Sequence, residues 1–159
     1  MQDTVDIELA VEDVMRGKFL TFIVGAVGYG IEISYVVEII SVQEITMVPH
    51  THTYVKGIIN LRGTVIPVID MGMRFGQGEI MYTEKTCIIV LSMDDISVGI
   101  LVDGVQDVSN VEDESIKDPP KITGNSIKNN FIKAIGMASG EVKQLIDVYK
   151  VFEVNAEDA

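Results

Sequence analysis

This 159-residue chain has one cysteine, no tryptophan and only four prolines, and its 12 basic residues are outnumbered by 24 acidic ones. A lone Cys87 forms no intrachain disulfide and supplies no thiolate cluster for a metal, which fits a reducing, cytoplasmic setting. It opens the run CIIVL and reads as a small apolar packing residue, without the electropositive surroundings that activate a thiolate. A net charge of −12 argues against nucleic acid and against adhesion to anionic membranes. Long hydrophobic runs are also missing. The best candidate, residues 15–30, is too short to span a bilayer and is interrupted by glycine. An acidic segment precedes its basic residues Arg16 and Lys18, the reverse of a signal peptide.

Catalytic signatures are equally scarce. The chain has no G-x-S-x-G elbow and no aspartic-protease triplet, and its acidic loops lack the ligand spacing of a calcium site. GAVGYG (25–30) lies between two apparent strands rather than ahead of a helix, so it does not read as a phosphate loop. His50 and His52 form H-x-H in a polar loop with no third ligand specified. The expectation is a protein without catalytic residues, metal or cofactor.

What the chain does have is β-structure. Hydrophobic residues make up 47% of it, enough for a substantial core at a length that suits one large domain or two small fused ones. Short runs rich in Val and Ile recur, bounded by turn signals. Strands are expected at Phe19–Val24, Tyr29–Ile33, through Ile40, on both sides of Arg62-Gly63, at Thr86–Met93 and Ile96–Val102, at Val105–Val111, and at Phe131–Met137 and Val142–Ile146. Asp94-Asp95 reads as a hairpin tip, and ASGE (138–141) turns the last hairpin. Ser34 is a candidate N-cap for one helical turn, Asp70 for a short helix over 70–78, and Asp147 for a closing helix over 147–154. The polar stretch 112–130 is expected as a loop. Nine or ten short strands with little helix favour barrels or a sandwich over a parallel sheet. No near-identical repeat is visible, so repetition does not dictate a two-barrel split.

The stretch GIINLRGTVIPVID (57–70) is unusual because a single cation sits between two apolar runs. The β-branched residues suit paired strands, and Gly63 accepts a left-handed turn conformation. Arg62 is thereby placed at a hairpin tip. Pro67 lacks an N–H, so its strand is expected at an edge, at a bulge or where the ladder is interrupted. A docking feature and an ordinary hairpin both fit these residues.

Extended to YVKGIINLRGTVIPVIDMGMRFG (54–76), the stretch resembles the signature of the CheW family, coupling proteins of chemotaxis. Residues 19–40 are similar to the family's opening strands, 87–108 to its second barrel and 145–152 to its terminal helix. Gly72 and Met73 depart from the polar residues expected after Asp70. The resemblance implies a mainly all-β fold of two pseudo-symmetric five-stranded SH3-like barrels sharing a hydrophobic interface, with short helices and a C-terminal helix. The domain would cover 18–154, one barrel made from roughly 18–68 plus the C-terminal segment and the other from 69–140. Residues 1–17 would be a mobile acidic segment and 155–159 a frayed end. The Met1 start favours a stand-alone chain over a fragment of a larger signalling protein.

The resemblance further implies an adaptor without catalysis. Its partners would be the regulatory domain of the histidine kinase CheA and a chemoreceptor's cytoplasmic tip, with recruitment from the cytoplasm to membrane-associated arrays and no membrane insertion. Val36, Glu38 and Arg62 would lie on the coupling surface, with Arg62 paired either to Glu38 or to a partner carboxylate. Val36, Gly99, Val102, Val105 and Val108 are the groove and barrel-edge candidates, while Gly57 and Gly63 serve geometry. The competing class is a small-ligand-binding barrel, which requires a deep closed cavity.

Overall fold

Ten strands and two short helices organise the computed structural model, which describes residues 17–119 and 131–152. The expected mobile segment before residue 17, part of the 112–130 loop and the frayed end lie outside the described residues. In chain order the strands are β1 (Lys18–Val24), β2 (Val27–Glu32), β3 (Val36–Ser41), β4 (Val55–Leu61), β5 (Thr64–Asp70), β6 (Cys87–Met93), β7 (Ile96–Val102), β8 (Gly104–Asn110), β9 (Ile132–Ala138) and β10 (Glu141–Ile146). The helices are α1 (Met71–Arg74), between β5 and β6, and α2 (Val148–Phe152), after β10.

Four hairpins share one turn chemistry. The pairs Gly25-Ala26, Arg62-Gly63, Asp94-Asp95 and Ser139-Gly140 all have positive φ at both residues. That matches the two-residue type I′ connection, whose twist suits flanking antiparallel strands. Ala26, Arg62 and Ser139 hold it without the freedom of glycine, so the surrounding ladders must impose it.

The strands form two five-stranded sheets, ordered β8-β1-β2-β10-β9 and β3-β6-β7-β5-β4. This corrects the expected division near residue 68. β3, β4 and β5 belong with β6 and β7, while β8, β9 and β10 join β1 and β2. The cause is non-local pairing. β5 runs parallel to β7, with Val68 opposite Gly99, and β10 runs parallel to β2, with Leu145 opposite Gly30. Pro67 is therefore in an interior strand, but the parallel ladder begins only at Val68, so its missing N–H falls where that ladder is interrupted. The helical turn expected from Ser34 forms at Ile33–Tyr35, with Glu32 at the cap position and no side-chain capping bond.

The two sheets repeat each other register by register. β3 pairs β6 with Val36 opposite Leu91 and Glu38 opposite Val90, skipping Val37. β8 pairs β1 with Val105 opposite Phe22 and Asp107 opposite Thr21, skipping Gln106. The β4–β5 ladder skips Lys56, and the β9–β10 ladder skips Lys133. Isolated bridges recur too, Thr46 with Ile58 and Lys117 with Ile135. In this correspondence Lys56–Phe75 aligns with Lys133–Phe152 without a gap. Lysine, isoleucine, glycine, valine, isoleucine, aspartate and phenylalanine recur at matching places. Asp70 caps α1 through the Met73 N–H at 3.2 Å, and Asp147 caps α2 through the Tyr149 N–H at 3.1 Å.

One apolar cluster spans both sheets. It includes Phe22 and Ile31 from the first, Ile88 and Ile100 from the second, Met71 from α1, and Val148 and Val151 from α2. Phe22, Tyr29 and Phe75 stack in series across the two halves, with centroids 5.8 and 4.6 Å apart, and Phe75 also meets Phe131. The Tyr29 hydroxyl accepts a bond from Gln77 at 2.8 Å. Full burial of each large apolar side chain contributes about 1.5–3 kcal/mol, so the contact between the halves is a principal source of stability.

Candidate functional site

Arg62 projects from the β4–β5 tip, and its guanidinium reaches Glu38 on β3. One terminal nitrogen donates to Glu38 Oε1 at 3.2 Å and the other to Oε2. β3 and β4 are opposite edges of their sheet, so this fork links the tip at one edge to the strand at the other. The turn that presents Arg62 is itself fixed, because Asn60 Oδ1 accepts the Gly63 N–H at 2.9 Å. The Arg62 side chain is 69% exposed and that of Glu38 27%. The hydrogen bond and the charge of Glu38 raise the arginine's pKa above its ordinary value. A bidentate fork leaves three of the five guanidinium N–H groups free for a further acceptor.

The remaining candidates divide by burial. Val36 on β3 and Val105 on β8 are half-buried against the core, at equivalent positions of the two edge strands. Val108 is exposed, and so is its counterpart Ile39. Gly99 and Val102 are corrections as surface candidates. Both are buried, Val102 with 0% exposure, because β7 is an interior strand. A Cβ on Gly99 would sit 2.9 Å from Ile88 Cγ2, so this glycine permits close packing inside the sheet. The structure thus brings the Arg62 tip to Glu38 on β3, the strand that also carries Val36, and places Val105 and Val108 on β8, the edge strand of the other sheet.

Sequence reading passed over several exposed apolar residues. Val37 and Ile39 face solvent beside Glu38, Val65 and Ile96 open the parallel strands β5 and β7, and Met137 and Val142 face each other across β9–β10. Their signal was an apolar residue beside a turn or at a bulge, where no partner strand covers it. Asp107 was also missed, although VQDV (105–108) parallels VVEI (36–39).

Among the described residues, no group of three His, Cys, Asp or Glu side chains is placed to hold a metal. His52 instead stacks on Tyr54, with centroids 5.0 Å apart. Clefts of about 410, 690 and 600 Å³ are open to solvent. Burial raises the pKa of the half-buried Cys87 thiol, opposite to the activation a nucleophile requires. No helix among the described residues is long and apolar enough to cross a membrane.

Comparison with known proteins gives this surface a context. The chain is 34% identical over 134 residues to the chemotaxis protein CheW of Klebsiella aerogenes, covering 84% of this chain and 80% of that protein. It is 32% identical over 142 residues to the chemotaxis protein CheW of Rhizobium meliloti, covering 89% and 91%. The crystal structure of a CheW scaffolding protein from Thermoanaerobacter tengcongensis superposes with a TM-score of 0.78 at 32% identity, covering 90% of this chain and 97% of that one. Residues 18–156 match the CheW-like domain, and the chain belongs to that family.

Proposed function

We propose that this protein is a non-catalytic adaptor of chemotaxis arrays, coupling the cytoplasmic tips of chemoreceptors to the regulatory domain of CheA. Family membership supports the reading. The observation that carries it is the exposed Arg62–Glu38 fork on an edge flanked by Val37 and Ile39, with an equivalent apolar edge repeated in the other half. An adaptor needs two surfaces on one rigid body, and a duplicated fold supplies them.

In this mechanism no bond is made or broken. Val36, Glu38 and Arg62 form one contact region, while Val105 and Val108 belong to the other edge. Arg62 keeps its fork to Glu38 and uses its remaining donors on a partner acceptor. The exposed valines and isoleucines contribute apolar area, and a few anchors dominate the energy. The protein acts in the cytoplasm and is recruited to membrane-associated arrays through its receptor contact, not through lipid.

The test is titration of the full chain with a CheA regulatory domain and with a receptor cytoplasmic fragment, followed by kinase assay of the ternary complex. Binding of both, with coupling reduced by Arg62→Ala, supports the adaptor and the role of Arg62. Binding of neither refutes the adaptor.

A further inference from the structure

The two halves share a fold but differ in charge at one matched position. In the second half Glu38 on β3 is satisfied by Arg62 from the adjoining tip. In the first half the same position on β8 holds Asp107, and the residue matching Arg62 is Ser139. Serine is too short to span the gap. Its hydroxyl instead meets that of Ser109 at 3.4 Å.

Nearby cations do not compensate. Among the described residues, no lysine or arginine pairs with Asp107, whose Oδ1 accepts only the neighbouring Val108 N–H at 2.7 Å. Lys143 on β10 is buried and reaches Gln106, the residue before Asp107. Its ammonium is committed to Gln106 at 2.8 Å and Glu141 at 3.0 Å. An incoming group can reach Asp107, because that residue is exposed.

We propose that Asp107 is a specificity residue of the first-half edge, and that it receives an arginine from a protein partner. The inference rests on the adaptor reading given above and adds the chemistry that tells the two edges apart. The fold displays its own template, since Glu38 shows that a carboxylate at this place takes a planar guanidinium in a fork. A carboxylate without its arginine, beside exposed Val108, matches a partner surface that carries a cation next to an apolar anchor. A second copy of this chain is disfavoured as the occupant, because two bodies of net charge −12 repel each other and its exposed Arg62 is already forked to its own Glu38. The second-half edge already holds its own arginine and therefore selects for an acceptor instead. A partner with the wrong charge is thereby excluded from each edge.

Two variants test the proposal, each titrated by calorimetry against the CheA regulatory domain and, separately, the receptor cytoplasmic fragment, at low and moderate salt. Asp107→Asn removes the charge and keeps the oxygen that accepts the Val108 N–H. Ser139→Arg supplies an arginine in cis and so occupies Asp107. Both substitutions are on the surface, and equal urea midpoints confirm that each variant is folded. The expected result is that both variants weaken one of the two interactions about tenfold, the size of a charge-assisted hydrogen bond, and flatten its salt dependence. If wild type binds and neither variant changes either affinity, Asp107 has no such role and the adaptor reading survives without it. If wild type binds neither probe, the adaptor reading falls and this inference falls with it.

Discussion

Asp70 and Asp147 occupy matched positions, and removing each carboxylate provides an experiment with a built-in control. Asp147 caps α2 at an accessible place, accepting from the N–H groups of Tyr149 at 3.1 Å and Lys150 at 3.4 Å. Asp70 is 1% exposed and does more. One carboxylate oxygen caps α1 through Met73 at 3.2 Å, and the other accepts the buried Ile80 N–H at 3.1 Å, which pins the chain returning from α1. Asp147→Ala should cost about 1 kcal/mol, the usual value of a lost cap. Asp70→Ala loses a comparable cap and also strands a buried donor, at about 1–3 kcal/mol, so about 2–4 kcal/mol in total. The backbone bonds from the two aspartates to Tyr54 and Phe131 persist in both variants and cancel. Urea unfolding followed by tryptophan-independent far-UV circular dichroism reads the difference, as does a melting point about 2–12 °C lower for Asp70→Ala than for Asp147→Ala. Equal destabilisation by the two substitutions would refute the claim that the Ile80 bond separates these matched sites.

Other expectations follow from single features. Gly99→Val should destabilise by about 1–3 kcal/mol through overpacking against Ile88, and any loss of partner binding should track that loss in denaturation curves. Arg62→Ala should leave the urea midpoint almost unchanged while reducing kinase coupling, since the side chain is largely exposed. Glu79 is lowered in pKa by its bond to Lys56, and Lys56 is raised chiefly by its bond to Glu79. Stability from this pair is therefore full between about pH 4.3 and pH 10.4. It is lost as pH falls through the lowered carboxylate value or rises through the raised ammonium value. The stability gap between wild type and Lys56→Met should shrink at both extremes. Cys87 should react with iodoacetamide at pH 8 far more slowly in the folded chain than after urea unfolding, because burial raises its thiol pKa.

Local chemistry was readable and long-range pairing was not. Arg62-Gly63 and Asp94-Asp95 announce turns by composition, and the structure has turns there with the positive φ that Gly63 and the aspartates tolerate. Asp70 and Asp147 precede short helices and cap them. The sheet membership of β3, β4 and β5 left no local mark, because it depends on parallel ladders between residues far apart, such as Val68 with Gly99. The internal duplication escaped for a related reason. One copy runs continuously from β3 to β7, while the other begins at β8 and finishes with β1 and β2, so a search for consecutive repeats meets it cut in two. Arg62 and Glu38 were legible as a pair through family likeness, and their fork is present. Gly99 and Val102 were misplaced because apolar residues in a strand do not reveal whether a neighbour lies on each side. Asp107 becomes visible only when the two halves are aligned by register.

The split copy also sets an order of events during synthesis. Once Val102 has left the ribosome, every strand from β3 to β7 is present and that sheet can close its hydrogen bonds. β1 and β2 emerge earlier still, yet both neighbours that cover their outer edges, β8 and β10, arrive last. The first strands made are the last to be enclosed. During that interval the nascent chain carries a hairpin with two bare edges and a stretch of apolar side chains, Phe19 to Val24, awaiting its partners. The half completed only when β10 is made is therefore the one whose hairpin edges stay bare longest and are most open to pairing with another nascent copy.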